Sequence, residues 1–261
     1  MTRVVAFCDL DDTLFFTGRK LEEALRVRVA TVDRSGEPHS YMNRAQVYLL
    51  DRLLEGATLI PVTGRDPDAY GRLQLQFDSW AILDHGATVL RPGGRPDQAW
   101  STVMAEVLAE HTGALELAAQ AARHISQLGN LDCEVRLHRV SGAEELPLMV
   151  VIKHPYALQS SLDSMAAQLR EWLQETRIEL RTFANGNNLT LIAPEVSKEA
   201  AVRYVLQDLQ EQADAEAETL LTLGLGDSVA DVPFMALCDF ALTPGQSQLM
   251  RAVQEAELEQ R

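Results

Sequence analysis

The apolar run Val4-Val5-Ala6-Phe7-Cys8 ends abruptly on Asp9-Leu10-Asp11-Asp12-Thr13. Such a run reads as a buried strand, and the fold must supply a sheet around it. Side chains two apart on an extended strand share a face, so Asp9 and Asp11 bring two negative charges to the strand's carboxyl end. Like charges in a cleft are costly unless a cation or a proton accompanies them. The strand end is therefore a candidate site, and most plausible folds are those that leave it open to a ligand.

The rest of the chain supplies the sheet. Residues 26–42 alternate and turn at Ser35-Gly36, which predicts a hairpin. Asn43 caps a helix over residues 44–55 that Gly56 stops. A strand over 57–62, a helix over 66–75 and a strand over 80–83 follow. Residues 97–128 predict two helices broken near Gly113. Strands over 132–140 and 146–154, a helix over 157–175 and strands over 177–184 and 188–193 then give the order helix–strand–strand twice. The α/β pattern resumes with a helix over 197–212, a strand over 220–225, a helix over 229–237, a strand over 239–242 and a helix from Gly245. This order predicts an α/β fold: a Rossmann-like parallel-sheet core, residues 1–96 and 194–261, with an inserted α+β domain over residues 97–193.

Charge narrows the partners. Asp and Glu total 38 against 23 Lys and Arg, a formal net charge of −15. Such a surface repels polyanions, which argues against nucleic acid and anionic membranes as partners. A small anionic substrate stays compatible, because a cation and a few basic residues can dominate inside a cleft. No apolar run approaches the ~20 residues that span a bilayer. The first residues lack the make-up of a secretory signal. Cys8, Cys133 and Cys238 are odd in number, widely spaced and set in apolar stretches. They read as reduced core residues, and we expect a cytoplasmic protein. Oligomeric state is not legible.

Four clusters follow strands or open helices of the α/β part: Asp9–Thr13, Thr63-Gly64-Arg65, Lys198, and Gly226-Asp227-Ser228-Val229-Ala230-Asp231. Each has an ordinary reading alone. Thr63-Gly64 suits a turn with an N-cap, Lys198 a solvated helix lysine behind the cap Ser197, and Asp227 and Asp231 helix caps. Their joint occurrence in this order carries the functional reading.

The set resembles the haloacid dehalogenase (HAD) superfamily: DxDxT at Asp9–Thr13, Thr63, Lys198, and GDxxxD at Gly226–Asp231. The insert is similar to the C2B cap of the Cof-type and sucrose-phosphatase-like branch (subfamily IIB). Ile82-Leu83-Asp84-His85-Gly86-Ala87 is similar to the segment that precedes such caps, and Leu189-Thr190-Leu191 through Lys198 to the segment that closes them. One departure stands out: relatives in this branch usually carry Asn where this chain has Ala230, which removes an amide near the last Asp.

The resemblance implies a Mg2+-dependent phosphatase acting on a small phosphorylated metabolite, a sugar phosphate above all, through an aspartyl-phosphate intermediate. Asp9 would be the nucleophile and Asp11 the acid–base group. The implied metal ligands are Asp9, Asp11 through its backbone carbonyl, Asp227 and Asp231, the last directly or through water. Thr63 and Lys198 would hold the phosphoryl oxygens, with backbone N–H groups of residues 10–12 as further donors. Gly64 and Arg65 belong to the same phosphate-binding loop, Arg65 being open between substrate contact and a surface ion pair. The insert would close over the site and select substrate. Its polar candidates are Glu134, Arg136, His138, Lys153, His154, Arg181, Asn185, Asn187 and Asn188. Two alternatives stay open: a sugar phosphomutase or phosphotransferase on the same scaffold, and a non-catalytic metabolite-binding protein, which Ala230 alone encourages.

Overall fold

A computed structural model describes residues 2–140, 146–185 and 187–259, without the side chains of Asn185 and Glu259. The chain divides into two compact units, one of Met1–Gln98 with Ser197–Arg261 and one of Ala99–Val196.

In the first unit, strands β1 (Thr2–Cys8), β2 (Thr58–Pro61), β3 (Thr219–Leu225) and β4 (Phe240–Leu242) form one parallel sheet in the order β4-β3-β1-β2. β1 lies inside it, and Val5, Ala6, Phe7 and Cys8 are fully buried, as an apolar run in a parallel sheet should be. The register sets the site. Cys8 pairs with both Leu225 and Pro61, so three strands end level with one another. Main-chain bonds continue the ladder past those ends, from Asp9 N–H to the Leu225 carbonyl and from Val62 N–H to the Cys8 carbonyl, both 2.8 Å. Asp9, Thr63 and Asp227 therefore leave the sheet along one edge. Beside it, Arg28–Val32 and Pro38–Met42 form the expected antiparallel hairpin, joined by the short strand Phe16–Thr17.

In the second unit, an antiparallel sheet runs in the order Arg181–Asn185, Asn188–Ile192, Pro147–Lys153, Glu134–Arg139. Helices Gln98–Leu128 and Gln159–Thr176 supply its apolar partners. Leu115, Ala122, Met165 and Leu169 pack with Val150, Ile152 and Leu191 in one cluster, and Val135 and Leu137 join it from the outer strand. The alternation along 134–139 thus points its apolar members inward. Among the described residues, no helix is long and apolar enough to cross a membrane.

Three elements depart from the sequence pattern. Gln98–Leu128 is one unbroken α-helix of 31 residues, running through Gly113. A mid-helix glycine costs only about 1 kcal/mol, and the Ala- and Leu-rich flanks offset that. The helix expected over 66–75 is the single turn Pro67–Tyr70. The hairpin captures the remainder: Arg72 accepts from Val32 N–H, and Gln74 N–H donates to Ala30. After Arg44–Tyr48, the next helix widens into a π turn at Leu49–Leu53, which leaves Leu53 exposed and Leu54 buried.

Candidate active site

Asp9 is buried at the end of β1. Its Oδ2 accepts from Thr13 Oγ1 at 3.0 Å, and its Oδ1 accepts from Lys198 Nζ at 2.6 Å. Lys198 also donates to Asp231 Oδ1 at 2.7 Å and lies 5.7 Å from the Phe234 ring centroid. Ser197 explains how the lysine arrives there: its hydroxyl accepts from Ala200 N–H, capping the helix Lys198–Glu216 so that Lys198 occupies the first turn. The start of that helix is pressed against Gly86. A Cβ on Gly86, whose φ is +105°, would stand 2.2 Å from the Ser197 carbonyl oxygen. Asp84, His85 and Gly86 all have positive φ, so the turn after Ala81–Leu83 is wound to admit the helix end.

Beyond β3, Gly226 lets the chain fold back on itself. A Cβ there would lie 2.5 Å from Asp231 Cβ. Asp231 Oδ2 accepts from the Ser228 hydroxyl at 2.6 Å and from Ser228 N–H at 3.1 Å. Ser228 was missed as a positioning residue from sequence, although Ser-x-x-Asp is a recognisable capping-box spacing. Asp227 is buried alongside. One carboxylate oxygen from each of Asp9, Asp227 and Asp231 lies within 4.8 Å of the others. Ala230 is exposed and brings no donor to this group.

Three carboxylates share one ammonium. Burial pushes Asp9 up to about 8, opposed by Lys198 and reinforced by Asp231. Burial, Asp231 and Asp12 push Asp227 up to about 6. Burial works against the charge of Asp231 too, yet Lys198 and Ser228 hold it below the usual carboxylate range. Burial lowers Lys198, and its two carboxylate partners more than offset that, so it stays an ammonium. The excess of buried negative charge suits a cation held by hard oxygen donors.

Asp11 takes a separate position. Its Oδ2 and Oδ1 accept from Arg65 Nε and Nη2, each at 2.7 Å, and the guanidinium lies 5.2 Å from the Phe15 ring centroid. The Asp11 carboxylate is outside the cluster formed by the other three. Arg65 forms this fork in the structure, where the sequence leaves contact with substrate or the inserted part and a surface ion pair open. Thr63 is buried, and its hydroxyl accepts from Arg65 N–H at 3.1 Å, fixing the loop that carries the guanidinium. Gly64 sits under His85, where a Cβ would stand 2.4 Å from the ring. The Asp12 N–H, expected among the phosphate donors, instead bonds the Phe15 carbonyl at 2.8 Å. Asp12 has φ +65° and pairs with Lys20, so this tight loop uses that donor internally.

In the inserted unit, several polar candidates have local duties. His154 is buried, and its Nδ1 accepts from the N–H groups of Tyr156 and Leu158. Asn187 bonds the His154 carbonyl at 2.6 Å, and Arg181 donates to the Val196 carbonyl at 2.6 Å. Arg136 pairs with Glu134 at the surface. The Asn185 side chain lies outside the described residues.

No protein-family model and no curated protein matches the sequence. Solved structures do match the fold. A sucrose-phosphatase from Synechocystis, in complex with sucrose and phosphate, aligns at TM-score 0.53 and 20% identity, covering 98% of this chain and 98% of that one. The C-terminal domain of a C. albicans trehalose-6-phosphate phosphatase aligns at 0.53 and 13% identity, covering 99% and 78%. An IMP-bound Plasmodium falciparum IMP-nucleotidase aligns at 0.57 and 10% identity, covering 99% and 68%. At these identities the likeness shows the fold: this chain shares the α/β architecture of these phosphatases, in keeping with the HAD resemblance of its motifs.

Proposed function

We propose that the protein is a Mg2+-dependent phosphatase that hydrolyses a small phosphorylated metabolite, a sugar phosphate, through an aspartyl-phosphate on Asp9. The observation that carries this reading is the junction at Lys198, whose ammonium bonds both Asp9 and Asp231 with Asp227 beside them. Two of the solved structures with this fold are a sucrose-phosphatase and a trehalose-6-phosphate phosphatase, which favours a sugar phosphate as substrate. The inserted unit is proposed as the part that selects it.

The donor set fits the metal. Asp9, Asp227 and Asp231 offer buried carboxylate oxygens close enough to share one ion, and the family resemblance would add the Asp11 carbonyl. Bound there, Mg2+ would neutralise charge between the Asp9 carboxylate and a phosphoryl group.

The chain's own residues supply the rest. Asp9 attacks phosphorus, oriented by Thr13 and Lys198 at its two oxygens. In the Arg65 fork both Asp11 oxygens accept, so its acid role requires the fork to open and one oxygen to take a proton; Asp11 then gives that proton to the leaving oxygen and takes one from the attacking water. Lys198 and Thr63 stabilise charge on the transferring oxygens. Gly64 keeps the loop close enough to His85 to hold that arrangement.

The test is a panel of sugar phosphates and nucleoside monophosphates assayed with Mg2+ for release of inorganic phosphate. Turnover should favour sugar phosphates and should be lost in Asp9→Asn. Isomer formation without phosphate release would replace hydrolysis with a mutase reading. Unchanged turnover in Asp9→Asn would sink the mechanism.

A further inference from the structure

Several cations of this acidic chain are held by carboxylates: Arg28 faces Asp51, Arg65 faces Asp11, Arg91 faces Asp97, and Lys198 faces Asp9 and Asp231. Arg26 is not. Its guanidinium is half-buried and held by main chain, with Nε donating to the Leu21 carbonyl at 3.2 Å and Nη2 to the Gly18 carbonyl at 2.6 Å. It stands 4.7 Å from the Tyr41 ring centroid. Among the described residues, no carboxylate lies within ion-pair distance of it and Nη1 has no protein acceptor. A guanidinium carries five N–H donors, so most of this fork is uncommitted while its orientation is already fixed.

The fork lines a pocket of about 310 Å³ that also includes Thr17, Gly18, Arg19, His39 and Tyr41. Among the described residues, none that lines it is acidic. Arg19 is exposed and likewise has no carboxylate partner among the described residues. A Cβ on Gly18 would stand 3.2 Å from the Tyr41 ring and 3.5 Å from Arg26 Nη2, so glycine leaves room beside the fork. The volume is on the order of ten waters, enough for a tetrahedral or planar oxyanion and a small organic remainder. A partly desolvated cation without a counter-charge is unfavourable, and an oriented fork suits two-point bonding to an oxyanion.

We propose that this pocket, whose lining includes none of Asp9, Asp227 and Asp231, binds a small oxyanion, the phosphoryl or carboxylate group of a metabolite. Arg26 supplies the fixed fork and Arg19 the second charge.

The test is calorimetric titration of the whole chain with sodium phosphate, and separately with sodium acetate, against sodium chloride of equal ionic strength. A metal chelator is present throughout, so the carboxylate cluster offers phosphate no metal ion, and the Arg26 and Arg19 variants separate this pocket from the Lys198 ammonium. Saturable binding of at least one anion is expected, weakened about tenfold in both Arg26→Gln and Arg19→Gln. Tighter phosphate binding identifies a phosphoryl ligand, and tighter acetate binding a carboxylate. Absence of saturable heat with either anion, equal heat from chloride, or binding unaltered by the substitutions would overturn the proposal. If Arg26→Gln fails to fold by circular dichroism, the exposed Arg19 decides it.

Discussion

The two compact units solve different physical problems. The inserted unit buries an ordinary apolar layer between helices and sheet, and its polar groups serve turns and surface pairs. The strand ends of the first unit bring main chain to contact distance at Gly86 and Gly226 and confine three carboxylates with one lysine. The first arrangement spreads its burial over many apolar side chains. The second has little slack, because each close approach holds a charged group in place.

That contrast can be broken at several points. The largest effect is expected at Lys198→Ala, which leaves three buried carboxylates without an ammonium. Turnover should fall by about 10²–10³ in phosphate-release assays, and stability by about 3 kcal/mol in urea unfolding. Lys198→Arg should keep more of the stability than of the turnover, since it retains the charge without the same geometry. Gly86→Ala should cost about 2–3 kcal/mol, from strain at positive φ and from the clash with Ser197. Thermal unfolding checks it, and a neutral result would show that the helix end has room to move.

Asp84 gives a pH-dependent test in the first unit. It is buried, with Thr88 Oγ1 donating to its Oδ2 at 2.8 Å, and burial pushes its carboxyl up to about 6. An unfolded Asp titrates near ~3.9, so the folded state holds the proton more tightly. Its contribution to stability is fully present below about pH 4 and is lost as pH rises through about 6. Asp84→Asn keeps an acceptor for Thr88 and tolerates the left-handed backbone. It should stabilise the protein by about 1–2 kcal/mol at pH 8, with the gain shrinking towards pH 4. A gain independent of pH would contradict the assignment.

The smallest effect is expected in the long helix. Gly113 is helical, and a Cβ there meets nothing within 4 Å. Gly113→Ala should therefore stabilise by about 0.5–1 kcal/mol, read as a higher unfolding midpoint. A loss as large as that of Gly86→Ala would erase the difference between the two units.

The contrast also explains what was legible in the sequence. The alternation of Val135 and Leu137 and the apolar run of β1 report burial directly, because periodicity is a local property. Gly113 misled because a glycine signal is weak inside a long helix rich in Ala, Leu, Gln and Glu. The truncated helix after Asp66 misled because a distant hairpin claims its backbone, and no local pattern encodes that. At the site, Asp9, Lys198 and Asp231 were named from motif spacing and are brought together in space. The Arg65 fork on Asp11 joins residues 54 positions apart, and the main-chain carbonyls that hold the Arg26 guanidinium are visible only in the fold. Pairings of that kind belong to the folded chain.

The most direct measurement is rapid acid quench of the protein turning over a phosphorylated sugar, followed by peptide mass spectrometry. The expected result is a phosphoryl adduct on the peptide carrying Asp9, present in the unmodified protein and absent in Asp9→Asn. Steady release of phosphate with no adduct on that peptide, or with the adduct on another residue, would contradict Asp9 as the nucleophile.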